Sequence, residues 1–338
     1  MQIQIPDTDF NVKLASMMLK DGMELSRANF VKVLSMLEGT NKGTNVQEAA
    51  IMLTMKGIDS PEALSVLGQF MADNPQMAAQ LVALQESMGN LGTALGVAKG
   101  LMNPALLSQL AGLIGSFDDS VKELSEKYQF SGDNSVSLQD FMNNVRGMKA
   151  LLDGVQQQSN VSDSAEAQVL QASLSQASSK MGSIVDNLTA QALLSQKGRE
   201  EVNFQYQQIP NLEAKGLKNV EIVVTREGGD KKADIDYENT QVVLSLLTTN
   251  LGKMVCSMIV KGKKVYIIFV FNEKEHGDEA RKSIAAEFAE LQKKLAEKNF
   301  AVTGYQVKVD PAMCKVSPYL IPMLPNLEAQ LKKIDLEA

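Results

Sequence analysis

The sequence predicts an α+β protein: an all-helical N-terminal region joined by a long helix to a small C-terminal domain of four or five mainly antiparallel strands with one packed helix. Three observations predict it. Apolar residues recur at intervals of three and four as far as about residue 154. A Gln-, Ser- and Ala-rich stretch follows, and it keeps a helical stripe. From Lys218 the apolar period drops to two. The expected division is a helical region at 1–154, a linking helix at 155–204, an α+β domain at 205–310 and a Pro-bearing tail at 311–338.

The first region reuses one helix-start signal. Gly22-Met23-Glu24-Leu25-Ser26 and Gly57-Ile58-Asp59-Ser60 each run from glycine through an apolar residue to a serine able to cap a helix. At the second, Pro61 follows Ser60, and proline costs nothing at the first helical position. Leu64, Leu67 and Met71 then fall on one face. Ser135-Val136-Ser137-Leu138-Gln139-Asp140-Phe141 is a third echo, with Ser137 and Asp140 at capping-box spacing. These loose echoes read as a helical bundle or as a helical repeat that binds a partner.

Residues 89–117 carry Gly89, Gly92, Gly96 and Gly100, with no charge between Lys99 and Asp118. The spacing is not a dinucleotide fingerprint. Asn103, Pro104, Ser108, Gln109 and Ser116 argue against a membrane span. The segment reads as a buried helix pair with close glycine packing. In the next region Leu170, Leu174, Ala177, Met181, Ile184 and Leu188 form a heptad-like stripe with few flanking charges. A long helix follows from it, lying against the helical region or pairing with a partner or a second copy.

In the last region Val220, Ile222 and Val224 alternate with Glu221, Val223 and Thr225, and Gly228-Gly229-Asp230 turns the chain. Thr240 to Thr248, Met254 to Val260 and Lys264 to Phe271 read as strands. Gly262 between the last two predicts a hairpin, because a tight turn needs a positive φ. Val265 to Phe271 is apolar at both parities, so that strand is covered on both faces. A helix capped by Asp278, with the stripe Ile284, Phe288, Leu291 and Leu295, supplies one cover. The tail Tyr319 to Leu324, the helical region or a partner supplies the other. Phe300 to Val309 returns as a strand.

The chemistry is sparse. Of 338 residues, one is histidine: His276 lies in a charged stretch and reads as a surface residue, so proton transfer near neutral pH lacks its usual carrier. The sequence has no CxxC, HExxH or P-loop pattern. Cys256 and Cys314 read as two buried thiols. A net charge of −7 argues against sequence-independent nucleic-acid binding, which needs cations for phosphate. Met1 to Phe10 has neither the basic nor the apolar run of a cleaved signal, so a cytoplasmic start is expected. No enzymatic activity, cofactor, metal or stable membrane insertion is expected.

One resemblance organises the C-terminal domain. Val243-Leu244-Ser245-Leu246-Leu247-Thr248-Thr249-Asn250-Leu251-Gly252-Lys253-Met254-Val255, then Gly262, then Leu291 and Leu295, then Phe300-Ala301-Val302 resembles the C-terminal domain of bacterial flagellar hook-length control proteins. In that family a strand, a Leu-Gly turn, two strands, a helix and a last strand follow in this order. The match covers about a third of the chain. The family usually places a proline about three residues before the Leu-Gly pair, where Thr248-Thr249-Asn250 stands here. The resemblance implies a protein that acts by binding. It would contact the cytoplasmic domain of the flagellar export-gate switch protein, turn type III export from hook to filament substrates, and travel through that apparatus without a cleaved signal. Hook or hook-cap proteins are further implied partners. Asn250, Leu251, Gly252 and Lys253 are the expected partner contact.

The N-terminal half departs from the family's extended ruler. Residues 1–200 hold only Pro6, Pro61, Pro75 and Pro104, and their helical periodicity is strong. Helix advances about 1.5 Å per residue, against roughly 3.3–3.6 Å for extended chain. A cytoplasmic flagellar export adaptor or chaperone, with Met-rich helices holding clients, is therefore the alternative.

Overall fold

The computed structural model describes residues 6, 8–98, 100, 103–127, 138–158, 164–196, 204–211, 218–226, 238–248 and 251–320. Helices come first: α1 (Asp9–Lys20), α2 (Arg27–Met36), α3 (Thr44–Lys56), α4 (Pro61–Asp73), α5 (Met77–Val97), α6 (Pro104–Lys127), α7 (Leu138–Gln158) and α8 (Ala165–Ser195). Strands β1 (Phe204–Asn211), β2 (Lys218–Arg226), β3 (Asn239–Thr248), β4 (Gly252–Lys261) and β5 (Lys264–Phe271) follow, then α9 (Lys274–Glu297), β6 (Ala301–Val309) and the single turn α10 (Ser317–Leu320). The α+β class holds. The sheet has six strands in the order β1-β2-β3-β4-β5-β6 rather than four or five. Strands β2 to β5 pair antiparallel, and β6 runs parallel to β5 after the α9 crossover.

The expected division at 154 and 204 is not the one the packing makes. The described residues form two compact units, each drawing on separated stretches. The first takes residues from within 1–74, 190–207 and 220–338, and the second from within 75–189 and 208–219. The reason is the sheet. Val223, Val243, Val255 and Val270 share one face, as their registers show. They are buried in a single core with Leu14 and Met18 of α1, Phe30 and Val33 of α2, Leu53 of α3 and Leu67 of α4. The helices of residues 9–73 are therefore the second cover, joined by Cys314 and Val316. On the opposite face Cys256, Val265 and Ile267 pack with Leu291 of α9 and Tyr305 of β6. The tail beyond Leu320 lies outside the described residues, as do Gly228-Gly229-Asp230 and the Ser137 capping signal.

The second unit is a helical bundle. The stripe Leu170, Leu174, Ala177, Met181, Ile184 and Leu188 of α8 is buried with Leu81, Leu84 and Leu91 of α5, Leu110 and Phe117 of α6, and Leu152 of α7. Within this core α8 is a bundle helix, not a free linker.

Helix starts follow the sequence where a cap was legible. Ser26 Oγ accepts from the Asn29 amide at 3.1 Å, and Ser60 Oγ from the Ala63 amide at 3.1 Å. Leu64 and Leu67 are buried and Met71 is half-buried. At α9 the expectation fails. Its N-cap is Glu273, and Asp278 lies inside the helix, paired with Arg281. The first turn can sit hard against β6 because residue 277 is glycine: a Cβ there would lie 2.7 Å from Val309 Cγ2. The glycines of α5 also differ from expectation. A Cβ on Gly89 or Gly96 would meet nothing within 4 Å, and one on Gly92 only Ile114 Cδ1 at 3.8 Å, so no close helix approach requires them.

Candidate functional site

The expected contact segment lies at one end of the sheet of the first unit. Asn250 lies outside the described residues; Leu251, Gly252 and Lys253 are within them and half-buried. Thr248 Oγ1 closes the turn from both sides: it accepts from the Leu251 amide at 3.0 Å and donates to the Gly252 carbonyl at 3.0 Å. Gly252 has φ +62°. Its Cβ position is also blocked, since a methyl there would stand 3.0 Å from His276 Cε1 and 3.1 Å from His276 Nδ1. Only glycine meets both demands.

His276 is thus not a free surface residue. It sits in the first turn of α9 over this glycine, 29% exposed, with Nδ1 3.6 Å from Glu273 Oε2. The other wall is the segment after β6. The Asp310 amide donates to the Phe271 carbonyl at 3.0 Å, and Asp310 Oδ1 accepts from the Ala312 and Met313 amides at 3.0 and 3.3 Å. That turn delivers Cys314, whose thiol donates to the Lys253 carbonyl at 3.2 Å.

Burial pushes the Cys314 thiol up; the Lys253 ammonium acts against the rise and Asp310 adds to it. Burial also raises the Tyr319 hydroxyl, helped by Cys314 and Asp310. On the sheet face that α9 covers, burial pushes the Cys256 thiol up to about 12. Both cysteines are free and buried, as expected. Neutral thiols are weak nucleophiles. The described surface at this end of the sheet carries the half-buried Leu251 and Lys253, and Leu247 at 52% exposure.

A second concave surface lies among α2, α3 and α4. It is a groove of about 630 Å³ lined in part by Met36, Val46 and Leu64, with Glu38, Asp59 and Asp73 also on its wall. Its floor is tight at Gly68, whose Cβ position is 3.3 Å from Val46 Cγ2.

Two polar clusters escaped the sequence reading. In the second unit Asn187 Nδ2 donates to the Pro75 carbonyl at 3.0 Å and to Gln80 Oε1 at 2.6 Å. Gln208 Oε1 accepts from the Met77 amide at 2.9 Å and from Asn219 Nδ2 at 2.9 Å, while Asn219 Oδ1 accepts from the Ala78 amide at 2.7 Å. Those two amides start α5, whose N-cap Gln76 makes no side-chain cap. In the first unit, buried Lys56 donates to the Gln196 carbonyl at 2.8 Å and lies 5.0 Å over the Phe204 ring, and the Tyr206 hydroxyl bonds buried Glu221 at 3.0 Å. The signal for the first cluster was Asn187 itself, an amide beside Leu188 in the apolar stripe.

No group of three or more His, Cys, Asp or Glu suited to a metal ion occurs among the described residues. No described helix is long and apolar enough to cross a membrane. No protein-family model, curated protein or solved structure matches the chain.

Proposed function

We propose that this protein acts by binding in flagellar type III export, as a hook-length-control-type switch whose contact surface is the β3–β4 turn. The carrying observation is the segment from β3 to β6, which runs strand, Leu-Gly turn, two strands, helix and strand, the order of the family it resembles. Thr248, Leu251, Gly252 and Lys253 are held by the Thr248 hydroxyl, by His276 and by the Cys314 thiol, and pre-organised residues lose little freedom on binding. The partner would be the cytoplasmic domain of the export-gate switch protein. In a bacterium carrying the gene, deletion should give hooks of abnormal length with few filaments. Normal hooks and filaments in the deletion strain would remove this reading. Lys253→Glu, in a chain that still folds, should abolish capture of the purified switch-protein domain.

A second reading draws on the groove among α2, α3 and α4 and on the shared core of residues 9–73 with the sheet. A ruler would be an extended segment, whereas these helices form one body with the docking domain. An adaptor that stays in the cytoplasm and holds clients on its helices fits that arrangement. The culture supernatant separates the two: a ruler is found there in export-competent cells, and an adaptor remains inside.

A further inference from the structure

We propose that the second unit unfolds before the first, and that glycines placed inside its helices set this order. Six of them occupy helix interiors: Gly89 and Gly96 in α5, Gly112 and Gly115 in α6, Gly147 and Gly154 in α7. A Cβ at any of the six would meet nothing within 4 Å. No packing contact calls for a missing side chain there, and each glycine shifts its helix toward unfolding by about fivefold relative to alanine.

The first unit uses glycine differently. Gly68 of α4 faces Val46 Cγ2 at 3.3 Å, Gly277 of α9 faces Val309 Cγ2 at 2.7 Å, and Gly304 of β6 faces the Tyr266 ring at 3.4 Å. Within these elements of the first unit glycine permits a contact. In the second unit Gly182 of α8, 3.4 Å from Lys149 Cε, has such a neighbour and Gly92 a looser one at 3.8 Å, but the other six leave the backbone free and gain nothing from a neighbour.

Two further features act in the same direction. Hydroxyls turn back onto the carbonyl four residues earlier at Ser87, Thr93, Ser116, Ser120 and Ser183, against Thr54 and Ser283 among the described residues of the first unit, a bond that weakens and bends helices. The start of α5 depends on Gln208 of β1 and Asn219 of β2, more than 100 residues away in the chain, so the helix loses its cap whenever those residues move. The result is a bundle with a well-buried core and helices that are weak by themselves. Such a unit opens as a block and gives a pulling or threading machine its first purchase. The order of unfolding belongs to the folded chain and stands whether or not the export reading holds.

Hydrogen exchange followed by mass spectrometry on the full chain tests it. Amides of α5 to α7 should exchange through a shared opening, faster than those of β3 to β5. In G89A/G96A/G112A/G115A that opening should slow by about fivefold per residue, several hundredfold for all four, with β3 to β5 unchanged. Gly68→Ala should act oppositely and speed exchange in α3 and α4. Three outcomes overturn the proposal: α5 to α7 as protected as β3 to β5 in the native chain, a quadruple variant with unchanged or faster exchange, or one that cannot fold.

Discussion

The two units bury apolar helix faces equally well, yet they are held by different means. In the first, helices cover a sheet whose backbone is paired strand to strand, and in-element glycines permit close contacts. In the second, a packed core and a few buried amide hydrogen bonds oppose weak helical backbones. The comparison teaches that a completely buried core does not by itself make a unit robust: what the backbone would do without its neighbours also counts.

The largest test replaces one buried ring in each core. Phe30 of α2 and Phe117 of α6 are 1% and 0% exposed. Truncation of either to alanine should cost about 3–5 kcal/mol. Thermal unfolding followed by exchange should show Phe117→Ala releasing α5 to α8 while β3 to β5 stay protected. If Phe117→Ala releases the sheet equally, the units are one cooperative block and the contrast fails.

The next test concerns a flaw in the sturdier unit. Asp21, at the end of α1, is 7% exposed, and one of its carboxylate oxygens has no hydrogen-bond partner. Burial raises its pKa from 3.8 to about 6, Glu48 adds to the rise, and Lys20 opposes it. The folded state therefore holds the proton more tightly than the unfolded one. The stability this gives is complete below about pH 4 and is lost as pH rises through about 6. Asp21→Asn should stabilise the protein by up to about 3 kcal/mol at pH 7 and by nothing at pH 3.5. Denaturant melts at the two pH values decide it, and an equal gain at both would show that the charge is not the cause.

A smaller effect is expected at the amide cluster. Asn187→Ala removes the donor to the Pro75 carbonyl and to Gln80 Oε1, so the second unit should lose about 1–3 kcal/mol. Its exchange should rise first at the start of α5. Loss confined to the middle of α8 would mean that Asn187 serves only its own helix.

Local signals carried the elements well. Ser60-Pro61 marked α4, Gly262 marked the β4–β5 hairpin at φ +58°, and the double apolar parity of β5 foretold covers on both faces. Strand β1 was missed because its alternation is spelled partly in glutamine: Phe204, Tyr206 and Gln208 are each buried. The start of α9 was misplaced because Asp278 looks like a cap, whereas the helix begins at Lys274 behind Glu273, which makes no side-chain cap, and Gly277 leaves room for its first turn against β6. The division into units was not legible at all. Which helices cover a sheet is decided by partners well over 100 residues apart, and no local period records that. At the turn, Gly252 could be chosen from sequence, but the histidine above it reads as surface until the fold brings α9 across.

The cover supplied by α1 to α4 also has a history in time. On the ribosome these helices are finished at Asp73, while the valines they pack against begin at Val223. At about 5–20 residues per second, the interval lasts roughly eight to thirty seconds. Through it, the sides of Leu14, Phe30 and Leu67 that later meet the sheet are uncovered in a growing chain. A nascent chain with that much waiting surface is a natural client for a holdase chaperone.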